Sequence, residues 1–74
     1  MTIQEVKDGQ NWKLFYEWLK ENGYDTFRHY NIFRGNKYIT DFDCQEDGDS
    51  GEIEETMDRI IEMDSMYLKN KGLI

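Results

Sequence analysis

Between Asp41 and Asp58 the chain carries nine carboxylates in eighteen residues and no lysine or arginine: Asp41, Asp43, Glu46, Asp47, Asp49, Glu52, Glu54, Glu55 and Asp58. Residues 1–40 hold six basic and five acidic side chains, and residues 59–74 hold three and two. Each flank is net +1, so the −9 of this one stretch sets the chain's −7. Charge of one sign packed so densely works against a compact state. A mean hydropathy of −0.91 points the same way, toward disorder. Two Trp, four Phe and five Tyr argue the opposite. Each large ring can bury about 150–250 Å², and that predicts a folded domain with an aromatic core, completed by Ile and Met from the C-terminal half.

Seventy-four residues make one small domain, 1–74, near the size at which a single core is only just sufficient. The single cysteine, Cys44, cannot close an internal bridge, and a lone thiol fits a reducing cytoplasm better than secretion. No apolar run approaches the roughly 18 residues that span a bilayer, and the start lacks a signal-peptide pattern. The expectation is a cytoplasmic protein with no membrane partner.

Along the chain, Thr2–Val6 is β-compatible and is followed by the turn-like pair Asp8-Gly9; an edge strand and a frayed terminus are both open. Asn11–Asn22 reads as the first helix. Asn11 or Asp8 caps it, Trp12, Phe15 and Leu19 share a face with Leu14 and Trp18 beside them, and Gly23 then Tyr24 end it. Thr26–Cys44 reads as a two-stranded hairpin, strands Thr26–Phe33 and Lys37–Asp43, with Gly35-Asn36 as a turn tolerant of positive φ. That turn sets the pairs Phe33 with Tyr38, Ile32 with Ile39, Asn31 with Thr40 and Arg28 with Asp43. One face, Phe27, Phe33, Tyr38, Phe42 and Cys44, is assigned to the core. The other, Arg28, Tyr30, Ile32, Ile39 and Asp41, is left for the N-terminus or a partner to cover. Gln45–Gly51 is a polar loop. Asp49 or Ser50 caps a second helix running from about Gly51 to Asn70, with Asp49 and Glu52 at capping-box spacing. Its stripe of Ile53, Met57, Ile60, Ile61, Tyr67 and Leu68 is interrupted at Asp64, and Lys69, Lys71 and Gly72 close it.

The acidic stretch admits three readings. As plain structure, Glu52, Glu54 and Glu55 favour a helix start and Glu55 pairs with Arg59 at i+4. That leaves Asp41, Asp43, Glu46, Asp47 and Asp49 uncompensated. As an electrostatic surface, carboxylates at this density fit a groove of Lys and Arg that otherwise neutralises phosphates. Small inhibitors of basic nucleases and DNA-binding proteins, phage-encoded ones among them, have this general composition, although no family motif is present. The third reading is calcium: Asp43, Gln45, Asp47, Gly48, Asp49 and Glu54 fall at positions 1, 3, 5, 6, 7 and 12 of an EF-hand-like loop. Against it stand Ser50 at the hydrophobic eighth position, a strand where a helix should enter, and the lack of a second loop.

Other candidates are weaker. Cys44 and His29 fall as diagonal neighbours on one strand face of the hairpin, yet no third group orients the histidine, and a buried free cysteine is ordinarily a small hydrophobe. One Cys and one His fall short of a zinc ligand set. Tyr16, Trp18, Tyr24 and Tyr30 invite a base-stacking reading, but a −7 chain repels a phosphate backbone. Met63 and Met66 lie off the helical stripe and offer a surface for a homodimer or another partner.

The sequence thus predicts a small α+β domain in α-β-β-α order, a two-stranded antiparallel hairpin on two helices, with a third N-terminal strand as the variant. No enzyme chemistry and no cofactor is expected. The expected role is an acidic protein that inhibits or regulates a basic, nucleic-acid-processing partner through Asp41, Asp43, Glu46, Asp47, Asp49, Glu52 and Glu55. The alternatives are a calcium module through Asp43, Gln45, Asp47, Asp49 and Glu54, or a structural, oligomerising protein.

Overall fold

The computed structural model describes residues 1–27, 30–42 and 50–74, with Ser50 and Gly51 as backbone. The domain is α+β. Its elements are α1 (Ile3–Gly9), α2 (Trp12–Glu21), β1 (Asp25–Phe27), β2 (Asn31–Arg34), β3 (Lys37–Asp41), α3 (Ser50–Met63) and α4 (Ser65–Asn70). The strands form one antiparallel sheet in the order β1-β2-β3.

The N-terminus is a helix, not a strand. Thr2 caps α1, its hydroxyl accepting from the Glu5 amide at 3.1 Å. Ile3 and Val6, one turn apart, are the residues it buries. Helical spacing therefore outweighs the β-branched composition of this segment. The third strand of the sheet comes from Asp25–Phe27 instead.

Helix α2 forms as its sequence implies. The Asn11 side chain accepts from the amides of Lys13 and Leu14 at 2.8 and 3.4 Å, and Phe15, Trp18 and Leu19 are buried. At its end Gly23 takes φ +84°. The Tyr24 amide then donates to the Leu19 carbonyl at 2.8 Å and the Gly23 amide to Lys20 at 3.4 Å. Those two bonds are a Schellman cap, and they aim Tyr24 into the core, stacked on Trp18 at 5.7 Å.

The predicted strand Thr26–Phe33 is two strands. Phe27 pairs with Asn31, and Tyr30, between them, has φ +60°. The second turn lies at Gly35-Asn36, with positive φ at Gly35 alone (63°), as in primed turns with glycine at the first central position. Phe33 faces Tyr38 as the turn dictates, but the register then shifts: Ile32 faces Thr40 and Asn31 faces Asp41. Ile39 is the extra residue of a β-bulge. Arg28 and Asp43, the outermost predicted pair, lie outside the described residues.

The bulge and the burial pattern reverse the predicted faces except at Phe42, which is buried as expected. Ile32, Ile39, Thr40 and Phe42 are buried, whereas Phe27 and Tyr38 are 59% and 50% exposed. Without the bulge Tyr38 and Phe42 would share a face. With it, Tyr38 points out and Phe42 points in, against Trp12, Phe15 and Tyr16. Cys44 lies outside the described residues.

The core joins Val6, Phe15, Trp18, Leu19, Tyr24, Ile32 and Ile39 to Ile53, Met57, Ile60 and Leu68 of the C-terminal helices. The predicted twenty-residue helix is broken in two at Asp64, which leaves helical geometry (φ −134°, ψ 34°). The predicted stop at Gly72 holds: φ is +73°, and the Leu73 amide donates to the Leu68 carbonyl at 2.9 Å. Among the described residues no helix is long and apolar enough to cross a membrane.

Candidate functional site

The described carboxylates fall into two unlike settings. Asp64 is 3% exposed and accepts four hydrogen bonds. Its Oδ2 receives Tyr24 Oη at 2.7 Å and Arg34 Nε at 2.6 Å; its Oδ1 receives Arg34 Nη2 at 2.9 Å and Lys37 Nζ at 3.1 Å. The Arg34 guanidinium in turn lies 4.0 Å over the Tyr67 ring, and Tyr67 donates to the Asn22 carbonyl at 2.6 Å. The Arg34 hydrogen bond, supported by those from Tyr24 and Lys37, outweighs desolvation and holds the Asp64 carboxyl at about 2. The same contact raises Arg34, while burial, then Asp64, raises Tyr24. A carboxylate has about four lone-pair sites, and here each is taken. The cluster is saturated and serves structure: it clamps the β2–β3 turn to the α3–α4 break.

Helix α3 is the opposite case. Glu54, Glu55, Asp58 and Glu62 are all exposed, and Glu54, Asp58 and Glu62 form a row at i, i+4 and i+8. Like charges at that spacing destabilise a helix. Lys7 of α1 answers Asp58 at 2.8 Å, a contact that raises the Lys7 pKa. Glu54, Glu55 and Glu62 have no ion pair among the described residues. The predicted Glu55–Arg59 pair does not form. Arg59 lies 3.9 Å from Glu52 and otherwise turns to the sheet, donating to Thr40 Oγ1 and the Asp41 carbonyl at 3.3 and 3.1 Å. Those bonds draw Arg59 toward β3 and away from Glu55.

Of the predicted contact residues, the structure thus places Asp41 at the exposed end of β3, Glu52 half-buried beside Arg59, and Glu55 exposed on α3. Asp43, Glu46, Asp47 and Asp49 lie outside the described residues, as do Gln45, Cys44 and His29. Of the calcium set only Glu54 is described, and among the described residues no group of three His, Cys, Asp or Glu is arranged to hold a metal ion. Glu62 belongs to the acidic row and was missed, because it lies beyond the dense stretch; its i+4 spacing from Asp58 was the available signal.

Two further surfaces stand out. On the outer sheet face Phe27, Phe33 and Tyr38 form a ladder across three strands, with edge-to-face contacts at 5.1 and 5.5 Å. Between α2 and β1 runs a groove of about 530 Å³ lined by Lys13, Tyr16, Leu19, Lys20, Tyr24 and Thr26 among others. Of the rings considered for base stacking, Trp18 and Tyr24 are buried and Tyr30 is exposed. Met63 and Met66 are exposed, as their position off the stripe implies. Comparison with protein-family models, with curated proteins and with solved structures finds no match to this chain.

Proposed function

We propose that this protein is a small acidic binding protein, not an enzyme, that inhibits or regulates a basic nucleic-acid-processing partner by occupying its phosphate-binding groove, in the manner of a phage-type DNA mimic. The observation that carries the reading is the outer face of α3. Four exposed carboxylates, Glu54, Glu55, Asp58 and Glu62, lie within nine residues of helix, a length of about 12 Å from first to last. That is one charge per roughly 3–4 Å, close to the 3.4 Å of a single DNA strand. Asp41 and Glu52 extend the negative surface toward the sheet, and Asp43, Glu46, Asp47 and Asp49 add to the same run of sequence. A row that opposes its own helix is explained by a basic partner that neutralises it. Attraction of this kind steers association and weakens as salt rises.

The test is capture of partners from host lysate on immobilised protein, with elution first by added duplex DNA and then by rising salt. The reading expects a basic nucleic-acid-binding protein released by both. Capture that duplex DNA does not disturb, or no salt-sensitive partner at all, contradicts it.

A further inference from the structure

On the outer face of the sheet, Phe27 and Tyr38 are exposed large hydrophobic side chains on its two edge strands. Strand pairing puts Asp25 opposite Phe33, Phe33 opposite Tyr38, and both Phe27 and Asp41 opposite Asn31. Directly paired residues share a face, so Asp25, Phe27, Asn31, Phe33, Tyr38 and Asp41 look the same way. Phe27 meets Phe33 at 88° between ring planes, and Phe33 meets Tyr38 at 74°. The ladder is therefore ordered by its own edge-to-face contacts. Scattered exposed rings are ordinary, but a contiguous patch marks an interaction surface.

The charges on this face select what fits it. Arg34 and Lys37 belong to the opposite face, where both are engaged by Asp64. Among the described residues, that leaves Asp25 and Asp41 as the charged groups beside the ladder. A second copy of a −7 chain, a nucleic acid or an anionic membrane would each bring like charge to these carboxylates. An arginine brings the complement: its planar guanidinium stacks on an aromatic ring while its N–H fork reaches a carboxylate. We propose that the ladder Phe27–Phe33–Tyr38, bracketed by Asp25 and Asp41, is a docking surface for a protein partner that presents arginine side chains. The proposal rests on the reading of a basic partner above and adds a second, arginine-selective contact to the α3 row.

The test titrates the full chain with hexa-arginine and, separately, hexa-lysine peptides, followed by NMR of backbone amides and aromatic rings. Hexa-arginine is expected to bind about tenfold tighter, since the compact, hydrated ammonium of lysine stacks poorly. It should shift the resonances of Phe27, Phe33 and Tyr38. The double variant Phe27→Ser/Tyr38→Ser, both at exposed positions, should abolish that preference while leaving hexa-lysine binding unchanged. Asp25→Asn/Asp41→Asn should weaken hexa-arginine more than hexa-lysine. Equal affinity for the two peptides, or shifts confined to Glu54, Glu55, Asp58 and Glu62, overturns the docking face and leaves the acidic-row reading standing. Binding of neither peptide overturns both. A dimer in sedimentation that Phe27→Ser/Tyr38→Ser dissociates assigns the face to a second copy and overturns the proposal.

Discussion

Asp64, at the break between α3 and α4, and the exposed carboxylates of α3 are the same chemical group in opposite circumstances. Asp64 is buried, with two cations and a phenol donating to all its acceptor sites. Glu54, Asp58 and Glu62 are exposed, and of the three only Asp58 has an ion pair among the described residues, with Lys7. A buried carboxylate left unpaired is costly, so the chain folds around its satisfaction. An exposed one is tolerated unpaired because water solvates it, and it remains available to a partner. Among the described residues, the carboxylate that ties elements of the fold together is therefore the buried one at the α3–α4 break, not those exposed along α3.

The most forceful way to break this contrast is Asp64→Ala. It leaves Arg34, Lys37 and Tyr24 without their common acceptor and is expected to cost about 3 kcal/mol, or roughly 15 °C in Tm for a domain this small. Urea denaturation checks it, and a loss below about 1 kcal/mol would show that the clamp is not structural. Acid is the next test. The Asp64 carboxyl lies at about 2 in the fold against an ordinary 3.8. Because the folded value is depressed, its contribution is fully present above about pH 4 and is lost as pH falls through 2. The difference corresponds to about 2 kcal/mol. Stability curves between pH 5 and pH 2 should steepen in the wild type, and Asp64→Asn should remove that component.

How far these roles were legible in the sequence follows from the same cluster. Helix α2 and the Gly35 turn were readable because Asn11, Gly23 and Gly35 act locally. Helix α1 was readable in principle: Thr2 and Glu5 have the spacing of a capping box, although the β-branched residues drew attention to a strand. The faces of the sheet were not readable by composition, since Phe27, Phe33 and Tyr38 outweigh Ile32 and Ile39 in apolar volume. The inner face is the one that also carries the contacts to Asp64, thirty residues beyond Arg34. Arg34 and Lys37 reach it only from the face they share with Ile32, and that face becomes the inner one. In the sequence Asp64 is just an interruption in a helical stripe. Of the candidate surface, the exposed or half-buried Asp41, Glu52 and Glu55 follow from charge density alone, but Glu62 and the outward turn of the aromatics depend on the helix row and the bulge.

Tyr67→Phe keeps the ring over Arg34 and removes the hydrogen bond to the Asn22 carbonyl. It should cost about 1 kcal/mol in urea denaturation, with the acid component of Asp64 unchanged. On α3, Glu54→Lys/Glu62→Lys turns two repulsive i, i+4 relations with Asp58 into attractive ones and should raise Tm by a few degrees at low salt. The gain should shrink in high salt, where exposed charges are screened, whereas the loss caused by Asp64→Ala should persist.

The most direct test of the central claim pairs stability with capture for wild type and Glu54→Gln/Glu62→Gln, measured on the same preparations. The variant is expected to melt higher and to retain less of any salt-sensitive basic partner from lysate. A variant that melts no higher and captures the same partners to the same extent would contradict it, and the acidic face of α3 would then be no more than a solvated surface.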